Sequence, residues 1–513
     1  MIINSFSQKV TVFQERMTPE PGYLVGYSAL YQSLDLKVPL PDILALISQK
    51  HKQYKTADWM VFTPRHLPAD TLMGHLTFAL KYEGIDLGML KKIFEKVVAK
   101  EISEMITLEP TGQYGRKIWF LYEWLMDKKL NIPDLTKGNY VDLVDGSIQF
   151  AYDVAIASKR HRIRNNLPGV KDFCPMIRRT ALLEAFIHLD LSQRIKNIIG
   201  KIHPDVMART AAFLLLKDSK ASYAIEGESP PQNRAQRWGR AIGQAGQRAI
   251  TKDELTRLQQ IVIDNTRFTA MGFREQEGFI GEHDRQHGTP IPDHISARWK
   301  DLDLLMNGLI ATNNKLEQDA SFDAVLAAAM TAFGFVFIHP FVDGNGRIHR
   351  YLIHDVLIKM GYVSSGIIFP VSAIILDRLE MYRKVLESFS KPRLDLIEWK
   401  ASENNNVEVL NDTLDLYRYF DVTKQAEFLY QCVKQTIDET IPQEVEYLER
   451  YDRMKAYLDD LFEMPDKTVA LMIRFLDQGK GLLSERAKTR EFKELNAEEV
   501  RSIENKYQEI FMT

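Results

Sequence analysis

The residues of this chain that could do chemistry are concentrated in one stretch, residues 339–350, which reads HPFVDGNGRIHR. Gly344 and Gly346 allow backbone conformations in which successive N–H groups point into one concavity, where a phosphate can approach closely. The pattern turns helical from Gly346 onward, so the concavity would lie at a helix N-terminus, which favours an anion. Arg347 and Arg350 are three residues apart and would project both guanidinium groups from the first helical turn.

Two further residues of this stretch could take part in a reaction. Asp343 supplies a hard oxygen ligand, of the kind that Mg²⁺ combines with substrate phosphates. His339 can accept a proton near neutral pH. A plain turn between two core helices would explain the Asp-Gly-Asn-Gly sequence, but it needs neither the histidine before it nor the arginines after it. The stretch therefore predicts the transfer of a phosphate-linked group.

The same stretch matches, without a gap, the H-x-F-x-[DE]-G-N-G-R-x-x-R signature of the Fic family, which it resembles position by position. Fic proteins typically transfer AMP from ATP to a hydroxyl side chain of a protein and release pyrophosphate. The resemblance implies that His339 is the general base for the attacking hydroxyl and that Asp343 holds Mg²⁺. It also implies a set of phosphate contacts: Asn345 with the N–H groups around Gly344 and Gly346, Arg347 at the β/γ end of ATP, and Arg350 at the γ-phosphate.

A second segment, Ser222-Tyr-Ala-Ile-Glu226-Gly227, lies upstream of the motif. Ser222 and Glu226 would share one helical face, and Gly227 is a natural C-terminal stop. The alternative is a helix end whose glutamate faces solvent. The segment resembles the family's inhibitory [ST]-x-x-x-E-[GN] sequence, in the position of the subclass with an N-terminal inhibitory helix. We therefore expect an inhibitory helix near 210–227, in which Glu226 pairs with Arg350 at the γ-phosphate position and Ser222 anchors the helix.

A third segment, near 277–292, is strand-like and then turn-rich, and it resembles the β-hairpin flap that Fic proteins hang over the target peptide. The residues expected to bind the target are Gly278, Phe279, Ile280 and Gly281. His283 and His287 have the i, i+4 spacing of zinc ligands, but the glycines and proline around them argue against the helix that this spacing requires. Tyr382, in a segment like the family's closing helix, is a candidate nucleotide-pocket residue and equally a candidate core aromatic.

These segments must be positioned by helices. Residues 324–338 form an apolar run that leads into the motif; it is shorter than the ~20 residues that a bilayer requires, so we expect a buried core helix. The helical periodicity of the rest predicts an all-α protein in three parts. These are an N-terminal helical domain of unknown role (1–175), a Fic domain with a small β-hairpin flap (176–395), and a C-terminal helical domain (396–513). The aromatic cluster at 119–124 is expected to pack in a core rather than form a binding groove.

Composition narrows the function classes. The 513 residues carry a net charge of −3, which gives no general electrostatic case for nucleic acid. The two cysteines, Cys174 and Cys432, form no disulfide framework, and the N-terminus is too polar for a secretory signal, so we expect a cytoplasmic protein without a membrane anchor. The basic run at 159–164 is expected to be a solvated face. The Gly479-Lys480-Gly481 turn could belong to a winged-helix-like DNA module, although helix packing or a homodimer contact is favoured.

The sequence thus predicts a Mg-ATP-dependent protein adenylyltransferase that modifies a serine, threonine or tyrosine hydroxyl of a target protein, itself included. Fic relatives can also remove AMP or move another phosphate-linked group, and that alternative stays open. A rival hypothesis is a nucleotide-sensing interaction protein without catalysis, against which the intact His339 argues. A DNA-binding regulator rests only on the unassigned flanking regions.

Overall fold

The computed structural model describes residues 5–263, 267, 269–363 and 366–512 of the chain. Helices make up most of it, and the prediction of a mostly helical fold is confirmed. No helix of the described residues is long and apolar enough to cross a membrane.

The N-terminal part combines strands and helices. Its strands are β1 (Lys9–Phe13), β2 (Arg16–Leu24), β3 (Leu44–Ser48), β4 (Tyr54–Lys55), β5 (Trp59–Phe62), β6 (Val141–Asp142), β7 (Ile156–Ser158) and β8 (Ile163–Asn165). Its helices are α1 (Gly26–Ser33), α2 (Leu72–Phe78), α3 (Leu87–Lys96), α4 (Ala99–Leu108) and α5 (Gln113–Met126).

A five-stranded sheet in this part has the strand order β1-β2-β3-β5-β4, with β3 and β5 parallel. The expectation of a helical N-terminal domain is therefore wrong for this sheet. The physical reason is that β3 is buried along its whole length, so it shows no alternation of polar and apolar residues. A short, continuous apolar run of this kind is not distinguishable from a buried helix by periodicity.

The aromatic cluster of this part packs as expected, whereas the basic run is not the solvated face that was expected, because Arg160 and His161 are largely buried against Glu123. Trp119, Phe120 and Tyr122 of α5 are buried in the core of the N-terminal part. In the basic run, Arg160 forms an ion pair with Glu123. These groups therefore contribute to structure, and neither presents an open binding face.

The central part contains the segments that carry the chemistry. Its elements are α6 (Ala181–His188), α7 (Leu191–Ile199), α8 (Pro204–Ala224), α9 (Gln232–Ile242), α10 (Lys252–Val262), β9 (Phe279–His283), β10 (Pro290–Ile295), α11 (Leu302–Glu317), α12 (Ala324–Ile338), α13 (Asn345–Lys359), α14 (Val371–Asp377) and α15 (Leu379–Leu394). All fifteen residues of α12 are buried, so the expectation of a core helix is confirmed. Helices α11 and α13 pack directly against it.

The C-terminal part begins with a second hairpin and continues as helices. Its elements are β11 (Trp399–Ala401), β12 (Val407–Val409), α16 (Leu414–Arg418), α17 (Thr423–Gln435), α18 (Ile441–Leu461), α19 (Asp466–Gln478), α20 (Glu485–Arg490) and α21 (Ala497–Phe511). Helix α17 packs on α12 and belongs to the central core, which extends to Val445. The expected boundary at 395 therefore cuts through that core. Helices α18 to α21 enclose a separate small core, and α18 also packs along α8.

Candidate functional site

His339 lies directly after α12, in a left-handed backbone conformation with φ +55°. Its Nδ1 lies 3.2 Å from the carbonyl oxygen of Val336. Because a carbonyl only accepts hydrogen bonds, Nδ1 carries the proton of the neutral ring, and Nε2 keeps a free lone pair. Burial, aided by the nearby guanidinium of Arg274, lowers the pKa of His339 to about 4. At neutral pH the ring is therefore in the form that can take a proton.

The loop between α12 and α13 is braced by one carboxamide. The Asn345 Oδ1 atom accepts a hydrogen bond from the Phe341 N–H at 3.0 Å, and its Nδ2 donates to the Phe341 carbonyl at 2.8 Å. Asn345 is 2% exposed, so its side chain shapes the loop. The contacts observed for its two polar ends are with the backbone of Phe341, and the expectation that this carboxamide also holds the phosphates stays a prediction. Gly344, with φ +96°, makes the turn into the N-terminus of α13.

Arg347 is surrounded by three carboxylates. Its Nε lies 2.9 Å from Glu226, its Nη1 3.0 Å from Glu228, and its Nη2 3.1 Å from Asp343. The contacts of Nε and Nη1 lie at ion-pair distance but outside hydrogen-bond geometry. The Arg347 side chain is 1% exposed, so this cation is held in the protein interior by charge complementarity.

Arg350 binds the end of α8 as the sequence predicts. Its Nη2 donates to Glu226 Oε1 at 2.8 Å and to the Ser222 carbonyl at 2.6 Å, while its Nε donates to Ser222 Oγ at 2.9 Å. Gly227 has φ +75° and ends the turn that follows α8. The structure thus brings Ser222, Glu226 and the motif arginines together, and it adds Arg347 to the expected partners of Glu226.

The Glu226 carboxylate occupies the anion cradle itself. A Cβ added at Gly346 would lie 2.3 Å from Glu226 Oε1, which shows how closely the carboxylate approaches the first turn of α13. The free N–H groups and dipole at a helix N-terminus attract phosphate and carboxylate alike. An anion from ATP and the Glu226 carboxylate would therefore compete for one position.

Helix α8 is fixed from within by Asp218, which is fully buried. Its carboxylate accepts hydrogen bonds from the Ser372 N–H at 2.6 Å and the Ser372 Oγ at 3.0 Å, and it lies 3.2 Å from His354 Nε2. On the outer side of α8, Arg209 forms a two-pronged ion pair with Asp452 of α18. The helix that carries Ser222 is therefore held on two sides.

Asp343 fits the part of a lone protein ligand to Mg²⁺. Its side chain is 49% exposed, and its Oδ1 accepts a hydrogen bond from the Gly344 N–H at 2.5 Å. Among the described residues, no three or more histidine, cysteine or acidic side chains are placed so that they could hold a metal ion together. Mg²⁺ accepts one carboxylate when substrate phosphates and water complete its shell, so this donor set suits it only together with a nucleotide.

Tyr382 lies behind the arginines. It is 4% exposed, its ring lies 6.2 Å from that of His349, and the Arg350 guanidinium is close enough to act on its pKa, which burial raises. The buried ring packs also against Phe428 of α17. These contacts favour the core-aromatic interpretation, and a nucleotide contact stays a prediction.

The flap is the hairpin of β9 and β10, in which Phe279 pairs with Ile295 and His283 with Pro290. Gly281 is required here, because a Cβ would lie 2.2 Å from the Ile291 carbonyl oxygen. The hairpin thus forms where the sequence places it.

The four predicted flap residues do not share one cleft. Gly278 and Phe279 line a cavity of about 310 Å³ together with His339 and Val342. Ile280 lines a different cavity, on the side of α15. The tip of the β11–β12 hairpin forms another wall of the first cavity: Asn406 Nδ2 donates to the Glu277 carbonyl at 2.7 Å. His283 Nε2 contacts the Asn405 carbonyl at 2.8 Å, so it takes part in hairpin packing.

Sequence reasoning missed three residues of the site. Glu228 pairs with Arg347. Because it directly follows Glu226 and Gly227, this second acidic residue could have been predicted from the sequence as a partner of the motif arginines. Gln259 is fully buried; its Oε1 accepts a hydrogen bond from the Gly272 N–H at 2.8 Å, and its Nε2 donates to the Asp343 carbonyl at 3.3 Å. Arg274 donates to the backbone of His339. Nothing in the local sequence of Gln259 or Arg274 indicates these partners.

Comparison with known proteins agrees with this site. Residues 249–357 match the Fic/DOC family. Among curated relatives, the protein adenylyltransferase Fic of Aedes aegypti is 39% identical over 72 residues, which is 14% of this chain and 14% of that protein. The protein of the same name from Nematostella vectensis is 25% identical over 115 residues, 22% of this chain and 24% of that protein. The chain thus matches less than a quarter of the length of these relatives.

The comparison with solved structures found partial matches. A Fic family protein from Desulfovibrio desulfuricans G20 aligns with a TM-score of 0.38 and 18% identity, over 62% of this chain and 89% of that one. The matched family residues include the 339–350 stretch and the flap, whereas Ser222 and Glu226 lie outside them. The subclass with an N-terminal inhibitory helix therefore stays a prediction. The comparisons therefore identify residues 249–357 as similar to the Fic/DOC family.

Proposed function

We propose that this protein is an adenylyltransferase that moves AMP from ATP to a hydroxyl group of a target protein. The observation that carries the proposal is the arrangement of His339: its unprotonated Nε2 belongs to a residue that lines a cavity shared with the flap, next to an anion cradle with two buried arginines. The names of the relatives matched over part of the chain agree with it.

In the proposed reaction, His339 Nε2 takes the proton of the target hydroxyl as the hydroxyl oxygen attacks the α-phosphorus of ATP. The bond from that phosphorus to the oxygen bridging to the β-phosphate breaks, and pyrophosphate leaves with the electron pair. Arg347 and Arg350 would bind the phosphates beyond the α position and offset their charge. Positioning and charge stabilisation of this kind account for most of the catalysis of phosphoryl transfer by proteins. Mg²⁺, held by Asp343 and the phosphates, would add charge neutralisation.

The target would be a protein segment with a serine, threonine or tyrosine hydroxyl. A strand edge such as that of the flap binds extended chains by main-chain hydrogen bonds, so the segment is expected to be extended. The protein itself is included among the targets. The Glu226 carboxylate in the cradle adds a second part to the proposal, namely that the resting enzyme is autoinhibited.

The reaction is tested by incubating the protein with ATP labelled with ³²P at either the α or the γ position. We expect protein-bound label from α-labelled ATP only, together with release of pyrophosphate. The variant Glu226→Gly is included so that inhibition does not hide the signal. Protein label from γ-labelled ATP alone would contradict AMP transfer. The proposal would also be contradicted if the wild-type protein and the Glu226→Gly variant both bind ATP and neither incorporates α-label.

Glu228→Gln should raise α-label incorporation by only about twofold to fivefold, because the ion pair that it removes has a partly exposed carboxylate and is worth about 1 kcal/mol. Glu228 touches Arg347 and Arg234 but not Arg350, and Glu226 remains in the cradle. The measurement is the initial rate relative to that of Glu15→Gln, which changes an exposed turn residue far from Glu228 in the sequence. A slower rate in the Glu228 variant would contradict an inhibitory contribution.

A further inference from the structure

Arg274 is a buried arginine outside the 339–350 stretch. It is 5% exposed and lies in the segment that leads to the flap. Its backbone N–H donates to the Pro340 carbonyl at 2.9 Å, and the preceding Phe273 forms a β-bridge with Phe341. The backbone of this segment thus runs alongside the first residues of the motif.

The Arg274 guanidinium joins two parts of the site. Towards the histidine, Nε donates to the His339 carbonyl at 2.9 Å, and Nη2 lies 3.5 Å from the Ile338 carbonyl. Towards the flap, Nη1 donates to the Gln276 carbonyl at 2.7 Å, and Nη2 donates to the Ala297 carbonyl. Gln276 precedes β9 and Ala297 follows β10, so one side chain binds the histidine and both ends of the hairpin.

Only arginine has the fork of N–H donors that can reach so many carbonyl groups at once. Among the described residues, its charge forms an ion pair with Glu277, at 3.9 Å. Burial lowers the pKa of Arg274 to about 10, so the guanidinium stays protonated at neutral pH. A charge that is costly to bury is therefore held in place mainly by backbone carbonyl groups.

The backbone of His339 needs such support. A left-handed conformation is disfavoured for a residue with a side chain, and it persists where the surroundings fix it. The Arg274 hydrogen bond to the His339 carbonyl supplies one such constraint. The other N–H groups of the guanidinium bind the flap, so the same side chain couples the position of the flap to that of the His339 carbonyl.

We propose that Arg274 is a positioning residue that fixes the catalytic histidine relative to the flap, so that a hydroxyl presented by a segment on the flap lies within reach of His339. This inference rests on the proposed function. It predicts that disturbing Arg274 damages the chemical step and spares ATP binding, because none of its recorded bonds goes to the anion cradle. Misplacement of a reacting group by about 1 Å costs ~100-fold in rate.

The test compares Arg274→Lys and Arg274→Met with Arg393→Lys, all combined with Glu226→Gly. Arg393 is a matched control: it is also buried, its pKa is also lowered to about 10 by burial, and it donates to the Phe389 and Leu416 carbonyls. We expect both Arg274 variants to lose about 100-fold in kcat for α-label incorporation, with KM and Kd for ATP within about twofold. The kcat of Arg393→Lys should stay within a few-fold of that of the parent protein, even if its thermal stability falls as much as that of the Arg274 variants.

A second readout makes the result independent of activity. In histidine-selective ¹³C NMR, the ring resonance of His339, identified by its loss in His339→Asn, should move in both Arg274 variants and stay in place in Arg393→Lys. Equal kcat in the Arg274 and Arg393 variants, or ATP affinity falling in step with kcat, would overturn the inference. If the parent Glu226→Gly protein incorporates no α-label, the proposed function fails; an unmoved His339 resonance would then still overturn the positioning contact, and a shifted one would support it.

Discussion

Replacing Glu226 with glycine should raise the rate of AMP transfer, self-modification included, by well over tenfold. The carboxylate contacts both Arg347 and Arg350 and lies against Gly346, where the γ-phosphate of ATP is expected. With that position blocked, ATP would bind with its α-phosphate misaligned for attack. Recovery of about 1.4 kcal/mol of transition-state binding already gives a tenfold increase. The measurement is the initial rate of protein labelling from α-³²P ATP.

The control for this variant is Glu15→Gly. It removes the same side chain from an exposed turn, where the residue already has a positive φ that glycine adopts readily. The labelling rate of this variant should equal that of the wild-type protein. A Glu226→Gly protein that is folded, binds ATP and labels no faster than the Glu15 variant would contradict autoinhibition by this carboxylate.

Replacing His339 should abolish transfer and leave ATP affinity nearly unchanged. A general base contributes about 10²- to 10⁴-fold, and the cradle and arginines that would bind ATP do not depend on the imidazole. His339→Asn is preferred over His339→Ala, because asparagine tolerates the left-handed backbone that this position requires. Rates are measured in the Glu226→Gly background, and Kd for ATP is measured by calorimetry.

His188→Asn serves as the matched control, since His188 is exposed and contacts the Glu184 carbonyl one turn earlier in its own helix. It should keep full activity. Equal labelling by the His339 and His188 variants would end the catalytic role of His339. A large loss of ATP affinity in His339→Asn would instead place the histidine among the nucleotide contacts.

The sequence predicts those parts of the site that are local. The stretch at 339–350 holds its base, turn glycines and arginines within a dozen residues, so type and spacing suffice. The contact of Glu226 with Arg350 was predictable from charge complementarity between two recognised segments. The bonds of Arg274 and Gln259 were not, because they go to backbone groups whose positions only the fold determines.

The same distinction applies to the fold. The apolar run of α12 is long enough to be assigned as a core helix, and the flap is framed by glycine and proline. In contrast, β3 pairs in parallel with β5 and is buried throughout. It therefore lacks both the alternation of polar and apolar residues and the short hairpin turn that indicate a strand. The inclusion of α17 in the central core follows from long-range packing that no local pattern encodes.

The fixation of α8 by Asp218 has a kinetic consequence for the proposed inhibition. Helix α8 ends at Ala224, and both Glu226 and Glu228 lie beyond it, in the turn that Gly227 closes. A helix held by a fully buried carboxylate leaves its place only when the surrounding core opens, which costs more free energy than the movement of a surface turn. A short exposed turn rearranges in nanoseconds to microseconds. Under the proposed inhibition, release of the cradle needs only this turn to move, and the proposed switch between the resting and the active state can then be fast and reversible while the helix stays docked.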